Sequence, residues 1–258
     1  MFKKLGIQLY TVRETMRNAE DIRATFKALK AMGYDQGQTA GCAIPYDEFG
    51  KIAAEEGIEI VGTHDDFGMM QNDIEQVIKN HRALNTTNVG IGGMPGEYYA
   101  SKAKTLEFCE IANKIGAALK PYGMKFTYHN HSGEFKRFPD SGEDTMMDIL
   151  LKNTDPETVS FVMDTYWIQH GGGDVCDWIE KFAGRIDILH LKDKKVTDWD
   201  GEIGEIGQGN LPWKKILETA ERTGVKTIVV EQDCNWKDDD ALKSAKISAD
   251  YLAQFLDK

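Results

Sequence analysis

The chain has 258 residues, of which 41% are hydrophobic and 28% are charged, as is usual for a globular protein. This length suits one barrel-sized domain, and we expect a single domain over residues 1–258. The formal net charge of −11 argues against nucleic acid as a partner, because an acidic surface repels phosphate backbones. No segment approaches the roughly 18 uninterrupted apolar residues that would be needed to span a membrane.

Two features of the sequence predict a cytoplasmic location. The four cysteines, Cys42, Cys109, Cys176 and Cys234, are far apart in the chain, which is typical of reduced thiols rather than a disulfide framework. The N-terminal segment also lacks the apolar stretch and the cleavage site of a secretory signal peptide.

Short apolar or β-branched runs recur along the whole chain and are predicted to be strands. In order they are Leu5–Tyr10, Tyr34–Gln38, Ile58–Thr63, Asn88–Ile91, Lys125–Asn130, Val159–Met163, Ile186–Leu191 and Thr227–Val230.

The segments between these runs have helical periodicity. In Asp21–Met32, the side chains of Ile22, Phe26 and Leu29 fall on one face, and Gly33 follows as a common helix stop. Strands that alternate with helices imply a parallel sheet, because parallel strands need a crossover connection.

Eight such units predict an α/β fold of the (β/α)₈ TIM barrel type in one domain. The alternative is an open doubly wound sheet, which carries a glycine-rich turn after its first strand. Here that turn, Gln8–Arg13, contains no glycine, so the barrel is favoured.

The strongest functional pattern lies where the last three predicted barrel strands end. Asp164, His190 and Glu231 each follow a buried run directly. Residues at equal height on neighbouring strands of a barrel converge, so these side chains would offer carboxylate and imidazole donors to one divalent ion. The donors do not distinguish Mn²⁺, Co²⁺, Mg²⁺ and Zn²⁺. A single acid at a strand end is more often a helix cap, but three in corresponding positions favour a metal site.

Other polar and aromatic residues follow the strands and are predicted to bind the substrate. Lys192 would neutralise an anionic group, although it is equally well explained as a partner of Asp193. The predicted substrate-binding residues are Gln8, Tyr10, His64, His131, Trp167 and Lys192.

Several segments together resemble the sugar phosphate isomerase/epimerase superfamily of xylose isomerase-like barrels. They are Gly6–Arg13, Tyr128–Phe135 (YHNHSGEF), Met163–Trp167 (MDTYW), His190–Asp193 (HLKD), Gly207–Trp213 and Val230–Asp233. Members of this superfamily include ketose 3-epimerases, inosose dehydratase, dehydroshikimate dehydratase and endonuclease IV.

The resemblance implies a metal site made of Glu, Asp, His and Glu, with Asp164, His190 and Glu231 in the last three places. In the epimerases the first Glu ends strand five, where this chain has His129. We therefore predict Glu134, five residues later, as the first ligand, with His129 or His131 as the alternative. Gln38 also departs from the family, since many relatives have a glutamate there.

The family resemblance implies a metal-dependent isomerase or epimerase that acts on a keto-sugar or cyclitol through an enediolate which the metal stabilises. Glu231, His129 and Glu134 are the predicted catalytic residues. A dehydratase of the inosose dehydratase type is the first alternative, and a non-catalytic sugar-binding barrel is the second. An endonuclease IV-like activity is disfavoured by the acidic charge, and the family resemblance makes a homodimer possible.

Overall fold

A computed structural model describes residues 2–257, so Met1 and Lys258, the ends of the predicted domain, lie outside the described residues. The strands are β1 (Leu5–Gln8), β2 (Tyr34–Ala40), β3 (Glu59–His64), β4 (Asn88–Ile91), β5 (Lys125–His129), β6 (Val159–Asp164), β7 (Ile186–Leu191), β8 (Asp193–Thr197), β9 (Asp200–Gly204) and β10 (Thr227–Val230). Eight of them form one sheet in the order β3-β2-β1-β10-β7-β6-β5-β4, and every pairing in it is parallel.

The helices surround this sheet and connect its strands. They are α1 (Ala19–Ala31), α2 (Tyr46–Glu55), α3 (Phe67–Asn72), α4 (Ile74–Ala83), α5 (Lys102–Leu119), α6 (Met146–Asn153), α7 (Thr165–His170), α8 (Val175–Lys181), α9 (Trp213–Arg222) and α10 (Ala241–Leu252). No helix within residues 2–257 combines the length and the apolar character needed to cross a lipid bilayer.

The two ends of the sheet, β3 and β4, meet and nearly close the barrel. The Asp65 amide donates to the Gly90 carbonyl at 2.8 Å, and the Asn88 side chain donates to the Val61 carbonyl at 2.8 Å. The predicted (β/α)₈ TIM barrel in one domain is therefore confirmed.

The first strand is shorter than predicted. β1 ends at Gln8, whose side chain accepts a hydrogen bond from the Tyr10 amide and so caps a short 3₁₀ helix over Leu9–Thr15. The prediction that the strand continues to Tyr10 was wrong, because the local capping bond outweighs the β propensity of this segment. The other predicted barrel strands agree with the structure to within two residues at each end.

The antiparallel hairpin of β8 and β9, which follows β7 at the mouth of the barrel, was not predicted from the sequence. Asp193, at its first position, is buried and accepts hydrogen bonds from the amides of Gly207, Gly209 and Leu211 and from the Trp213 indole. This single carboxylate fixes the hairpin and the loop before α9.

A small apolar layer inside the barrel determines which side chains reach the mouth. It consists of Val61, Val162, Ile188 and Val229, separate from the larger core between strands and helices. Side chains alternate along a strand, so the residues two positions beyond the last three are also inside the barrel. Those residues are Asp164, His190 and Glu231.

Candidate active site

Four buried side chains meet at the mouth of the barrel, and each offers one ligand atom. They are His129 at the end of β5, Asp164 at the end of β6, His190 on β7 and Glu231 directly after β10. Their ligand atoms all lie within 4.8 Å of one another. The strand register brings two of these side chains together, since Asp164 and His190 are paired on neighbouring strands.

Both imidazoles of this group are oriented by hydrogen bonds on the side away from it. His129 Nδ1 lies 3.2 Å from the Gly92 carbonyl, and His190 Nε2 lies 2.6 Å from Gln38 Oε1. Since both partners are oxygen acceptors, these two nitrogens carry the protons. The opposite nitrogens, His129 Nε2 and His190 Nδ1, therefore present their lone pairs to the group when the rings are neutral, which is the arrangement that metal-binding histidines usually have.

The two carboxylates face these free nitrogens. Asp164 Oδ2 lies 3.4 Å from His129 Nε2, and Glu231 Oε2 lies 3.0 Å from His190 Nδ1. The other oxygen of Asp164 accepts from the Trp167 amide and caps α7, which fixes the carboxylate in place. A lone pair on His190 Nδ1 so near a carboxylate oxygen requires a cation or a proton between them.

Lys192 is the positive charge nearest to these carboxylates. Its side chain is 1% exposed, and Nζ lies 2.8 Å from Glu231 Oε2, 3.3 Å from Asp164 Oδ2 and 2.7 Å from Asp233 Oδ2. Three carboxylates thus surround one ammonium group. The excess of negative charge at a buried position favours binding of a further cation.

The pKa shifts agree with this electrostatic picture. Burial alone would raise the pKa of Glu231, but Lys192 and His190 hold it well below its usual value. Burial would lower the pKa of Lys192, but Asp164, Glu231 and Asp233 raise it instead. Burial also lowers the pKa of His131 to about 4, so this imidazole is neutral at pH 7.

Glu134, the predicted first metal ligand, lies outside the four-residue group. It is fully buried, and its Oε1 accepts hydrogen bonds from the hydroxyls of Tyr99 at 2.7 Å and Tyr128 at 2.6 Å. Its Oε2 accepts from the His131 amide at 3.0 Å. The carboxylate is thus held in the short 3₁₀ turn Ser132–Phe135, and His129 is the strand-five side chain that reaches the group.

An adjoining cavity of about 830 Å³ opens onto this group. Of the predicted substrate-binding residues, Tyr10, His64, His131 and Lys192 line it. Trp167 does not line it but packs against His131, with ring centroids 5.3 Å apart. Gln8 is buried behind the lining, with Nε2 at 3.4 Å from His64 Nδ1.

Several buried polar atoms at this mouth have no hydrogen-bond partner among the described residues. They include His64 Nε2, Gln38 Nε2 and Trp167 Nε1. Leaving such a group unsatisfied costs about 1–3 kcal/mol, so a cluster of them indicates a place that receives a polar ligand.

The geometry of the four residues fits a divalent cation. Donors that lie about 2.0–2.2 Å from one ion are at most about 4.4 Å apart. The nitrogen–oxygen pairs measured here span 3.0 to 3.9 Å, and the widest separation in the group, within 4.8 Å, has to close by only about 0.4 Å for all four donors to share an ion. The mixed imidazole and carboxylate donors suit several first-row metals and do not identify one.

Two residues that contribute to the site were not predicted from the sequence. Asp233 was not recognised, although it lies two residues after Glu231 and completes the carboxylate cage around Lys192. Gln38 was noted only as a departure from the family, whereas the structure places it as the acceptor that orients His190. The two-residue spacing was a usable signal for Asp233. The partner of Gln38 lies 152 residues away in the chain and could not be identified from spacing.

Comparison with known proteins finds both similar sequences and similar structures. Inosose dehydratase from Clostridium perfringens is 31% identical over 156 residues, which are 54% of this chain and 51% of that protein. The matched part thus spans about half the length of this curated relative. A sugar phosphate isomerase/epimerase from Parabacteroides distasonis superposes with a TM-score of 0.82 at 25% identity, over 98% of this chain and 94% of the other.

A third relative was crystallised with a metal. The structure of IOLI protein with a bound zinc atom superposes with a TM-score of 0.68 at 15% identity, over 99% of this chain and all of the other, which shows the shared fold. The family model for the xylose isomerase-like TIM barrel matches residues 26–255. The chain therefore belongs to the xylose isomerase-like TIM barrel family.

Proposed function

We propose that the protein is a divalent-metal-dependent enzyme that isomerises or epimerises a keto-sugar or cyclitol by moving a proton next to a carbonyl group. The observation that carries the proposal is the group of His129, Asp164, His190 and Glu231, with both imidazoles aimed by acceptors behind them. We assign these four as the metal ligands, with His129 in the place first predicted for Glu134. When bound, the ion supplies a Lewis acid that makes the neighbouring C–H more acidic.

The residues around the group suit proton transfer. Glu231 is held ionised by Lys192 and His190, so it is able to accept a proton on one side of the substrate. His131 also lines the cavity and is neutral at pH 7. It is therefore able to accept a proton from a different side of the substrate and to return it. Lys192 places a positive charge where negative charge develops on an enediolate oxygen. Glu134 positions His131 through its amide and does not line the cavity.

A second candidate is a dehydratase on the same site, and it is favoured by the similarity to inosose dehydratase. Elimination of water needs a base for the C–H and an acid for the departing hydroxyl. Glu231 is able to take the C–H proton as a base and then, as a carboxylic acid, to pass it to the departing hydroxyl. The same site therefore supports both reactions, and the substrate decides between them.

Solvent exchange tests the proposal and separates the two candidates. The Mn²⁺-loaded protein is incubated in D₂O with a panel of ketoses and inososes, and deuterium at the α-carbon is followed by NMR. Exchange that disappears in Glu231→Gln and after chelation supports the proposal, and loss of water from an inosose assigns the dehydratase. If no probe exchanges or loses water although the metal is bound, the barrel is not this enzyme, and the non-catalytic sugar-binding alternative replaces it.

We extend the proposal to the cellular location and the oligomeric state of the protein. All four cysteines are free thiols, which agrees with the cytoplasmic location we propose. We also propose a homodimer. Light scattering during gel filtration would show twice the chain mass of 29.0 kDa if copies pair, and the single mass if they do not.

A further inference from the structure

The cavity extends beyond the group of His129, Asp164, His190 and Glu231, here called the metal-ligand group. Its lining includes His129, Lys192 and Glu231, and also Tyr10, Tyr46 and Met69, which lie on other segments of the chain; the part lined by these three residues is called the second compartment. The volume of about 830 Å³ is near the upper end of the roughly 300–1,000 Å³ that small-molecule sites occupy. A single-ring sugar held at the metal-ligand group would leave much of this space unfilled.

Tyr10 forms a rigid aromatic wall in this second compartment. The Arg13 guanidinium lies 4.0 Å from the centre of the Tyr10 ring and 5.0 Å from that of Trp236, so it is sandwiched between the two. Arg13 is further held by bonds to the carbonyls of Tyr10 at 2.8 Å and Asp233 at 3.2 Å. This stack fixes the Tyr10 ring before any ligand binds.

The Tyr10 side chain stays accessible although Arg13 stacks on its ring. Tyr10 is 42% exposed, and Met69 in the same lining is 40% exposed. Large apolar side chains left open in a cavity, next to a polar site, are typical of a ligand-binding surface.

Polar groups in the same compartment suit a hydroxylated ring. The Tyr46 hydroxyl donates to Asp65 Oδ1 at 2.7 Å, which leaves the hydroxyl oxygen able to accept, and both residues line the cavity. Asp66 Oδ1 accepts from the Met69 amide at 2.6 Å, and Asp66 also lines the cavity. An apolar face together with acceptors at its edge is the pattern that recognises a sugar ring.

We infer that the compartment bounded by Tyr10, Tyr46 and Met69 binds a second sugar ring, so that the substrate is a two-ring sugar whose keto ring lies at the metal-ligand group. The inference rests on the proposed function and deepens it. It assigns Tyr10, predicted from the sequence only as a substrate-binding residue, to the second ring.

The test measures whether the second ring adds affinity. Binding of D-fructose and of its disaccharides lactulose, turanose and palatinose to the Mn²⁺-loaded protein is followed by isothermal titration. At least one disaccharide is expected to bind about tenfold more tightly than fructose, and Tyr10→Ala is expected to reduce this preference to about twofold or less. The matched control is Tyr122→Ala, since Tyr122 is 45% exposed and does not line the cavity; it should keep the full preference.

A preference of no more than twofold in the unmodified protein overturns the inference, and so does a preference that survives Tyr10→Ala at its original size. Circular dichroism of each variant checks that the fold is intact, and Tyr10→Phe, which keeps the ring, should restore the preference. Deuterium exchange with fructose in the same samples separates the two hypotheses. Exchange without a disaccharide preference overturns only the second-ring compartment, whereas no exchange and no loss of water with any member of the wider panel of ketoses and inososes overturns the proposed function as well.

Discussion

The hydroxyl of Tyr128 donates to Glu134 Oε1 at 2.6 Å, and both side chains are buried. Tyr128 and His129 are neighbours on β5, so their side chains point to opposite faces of the strand. The tyrosine holds the glutamate on the outer face while the histidine faces the metal-ligand group. This one contact explains why Glu134 is absent from that group although it lies only five residues beyond His129.

The ligand assignment predicts opposite effects of two substitutions. His129→Ala should weaken Mn²⁺ or Zn²⁺ binding by at least about tenfold, because it removes a ligand, and losses of that size follow even when only a supporting residue is changed. Glu134→Gln should bind the metal with unchanged stoichiometry, because Glu134 lies outside the group. Metal content after dialysis, measured by mass spectrometry, checks both. Stoichiometric metal in His129→Ala together with loss in Glu134→Gln would reverse the assignment.

The contact between Tyr128 and Glu134 should also contribute to stability. Tyr128→Phe leaves the buried carboxylate with one tyrosine donor fewer, and the free energy of unfolding should fall by about 1–3 kcal/mol. Urea denaturation followed by circular dichroism measures this change.

Tyr122→Phe is the matched control, because the Tyr122 ring is 45% exposed. It should change the free energy of unfolding by less than about 0.5 kcal/mol. Equal losses in the two tyrosine variants would show that the buried hydrogen bond has no special contribution.

Lys192 is predicted to stabilise the metal-free protein. Lys192→Met removes the ammonium from a buried cage of Asp164, Glu231 and Asp233, and breaking a buried ion pair costs about 3–5 kcal/mol. Added Mn²⁺ should then raise the melting temperature of the variant more than that of the unmodified protein, because the ion replaces the missing positive charge.

Lys214→Met serves as its control, since Lys214 is exposed and only 3.9 Å from Glu218. It should leave both the metal-free stability and the response to Mn²⁺ unchanged within error. A metal-free Lys192→Met protein as stable as the original would refute the role given to this lysine.

The barrel, and the convergence of three of the four side chains of the candidate metal site, were predictable from sequence because they depend on local, repeated patterns. Buried β-branched runs end at Asp164, His190 and Glu231, and alternation along each strand aims all three into the mouth. Glu134 was predicted as a metal ligand because it lies close to His129 in the sequence. That spacing could not show that the Tyr99 hydroxyl donates a hydrogen bond to the Glu134 carboxylate. Tyr99 lies 35 residues before Glu134, and its contact exists only after β4 and β5 have paired.

The dependence on contacts between distant residues also explains why the hairpin of β8 and β9 was not predicted. Its residues, Asp193–Thr197 and Asp200–Gly204, are mostly polar or exposed, so they lack the apolar pattern that indicates a strand. Bonds from Asp193 to the loop before α9 hold it in place, and these form between residues far apart in sequence.

Asp148 is predicted to make stability depend on pH in the acid range. It is buried near the start of α6, where it accepts from the amide and hydroxyl of Thr145 at 2.9 and 2.8 Å and pairs with Lys181. Burial would raise the pKa of Asp148, but the bonds from Lys181 and Thr145 lower it below the ordinary value of 3.8. A carboxyl group with a lowered pKa in the folded state stabilises the protein above its unfolded pKa, and the contribution is lost as the pH falls through the folded value.

Asp148→Asn should therefore be less stable than the original protein by about 1–3 kcal/mol at pH 7, and the difference should shrink as the pH falls below 3.8. Urea denaturation at a series of pH values from neutral to strongly acidic measures this difference. Asp144→Asn is a suitable control, because Asp144 pairs with Lys152 on the exposed surface and such pairs contribute little. A stability difference for Asp148→Asn that stays constant across the whole series would mean that the carboxylate charge does not stabilise the fold, and that only the shape of the side chain matters there.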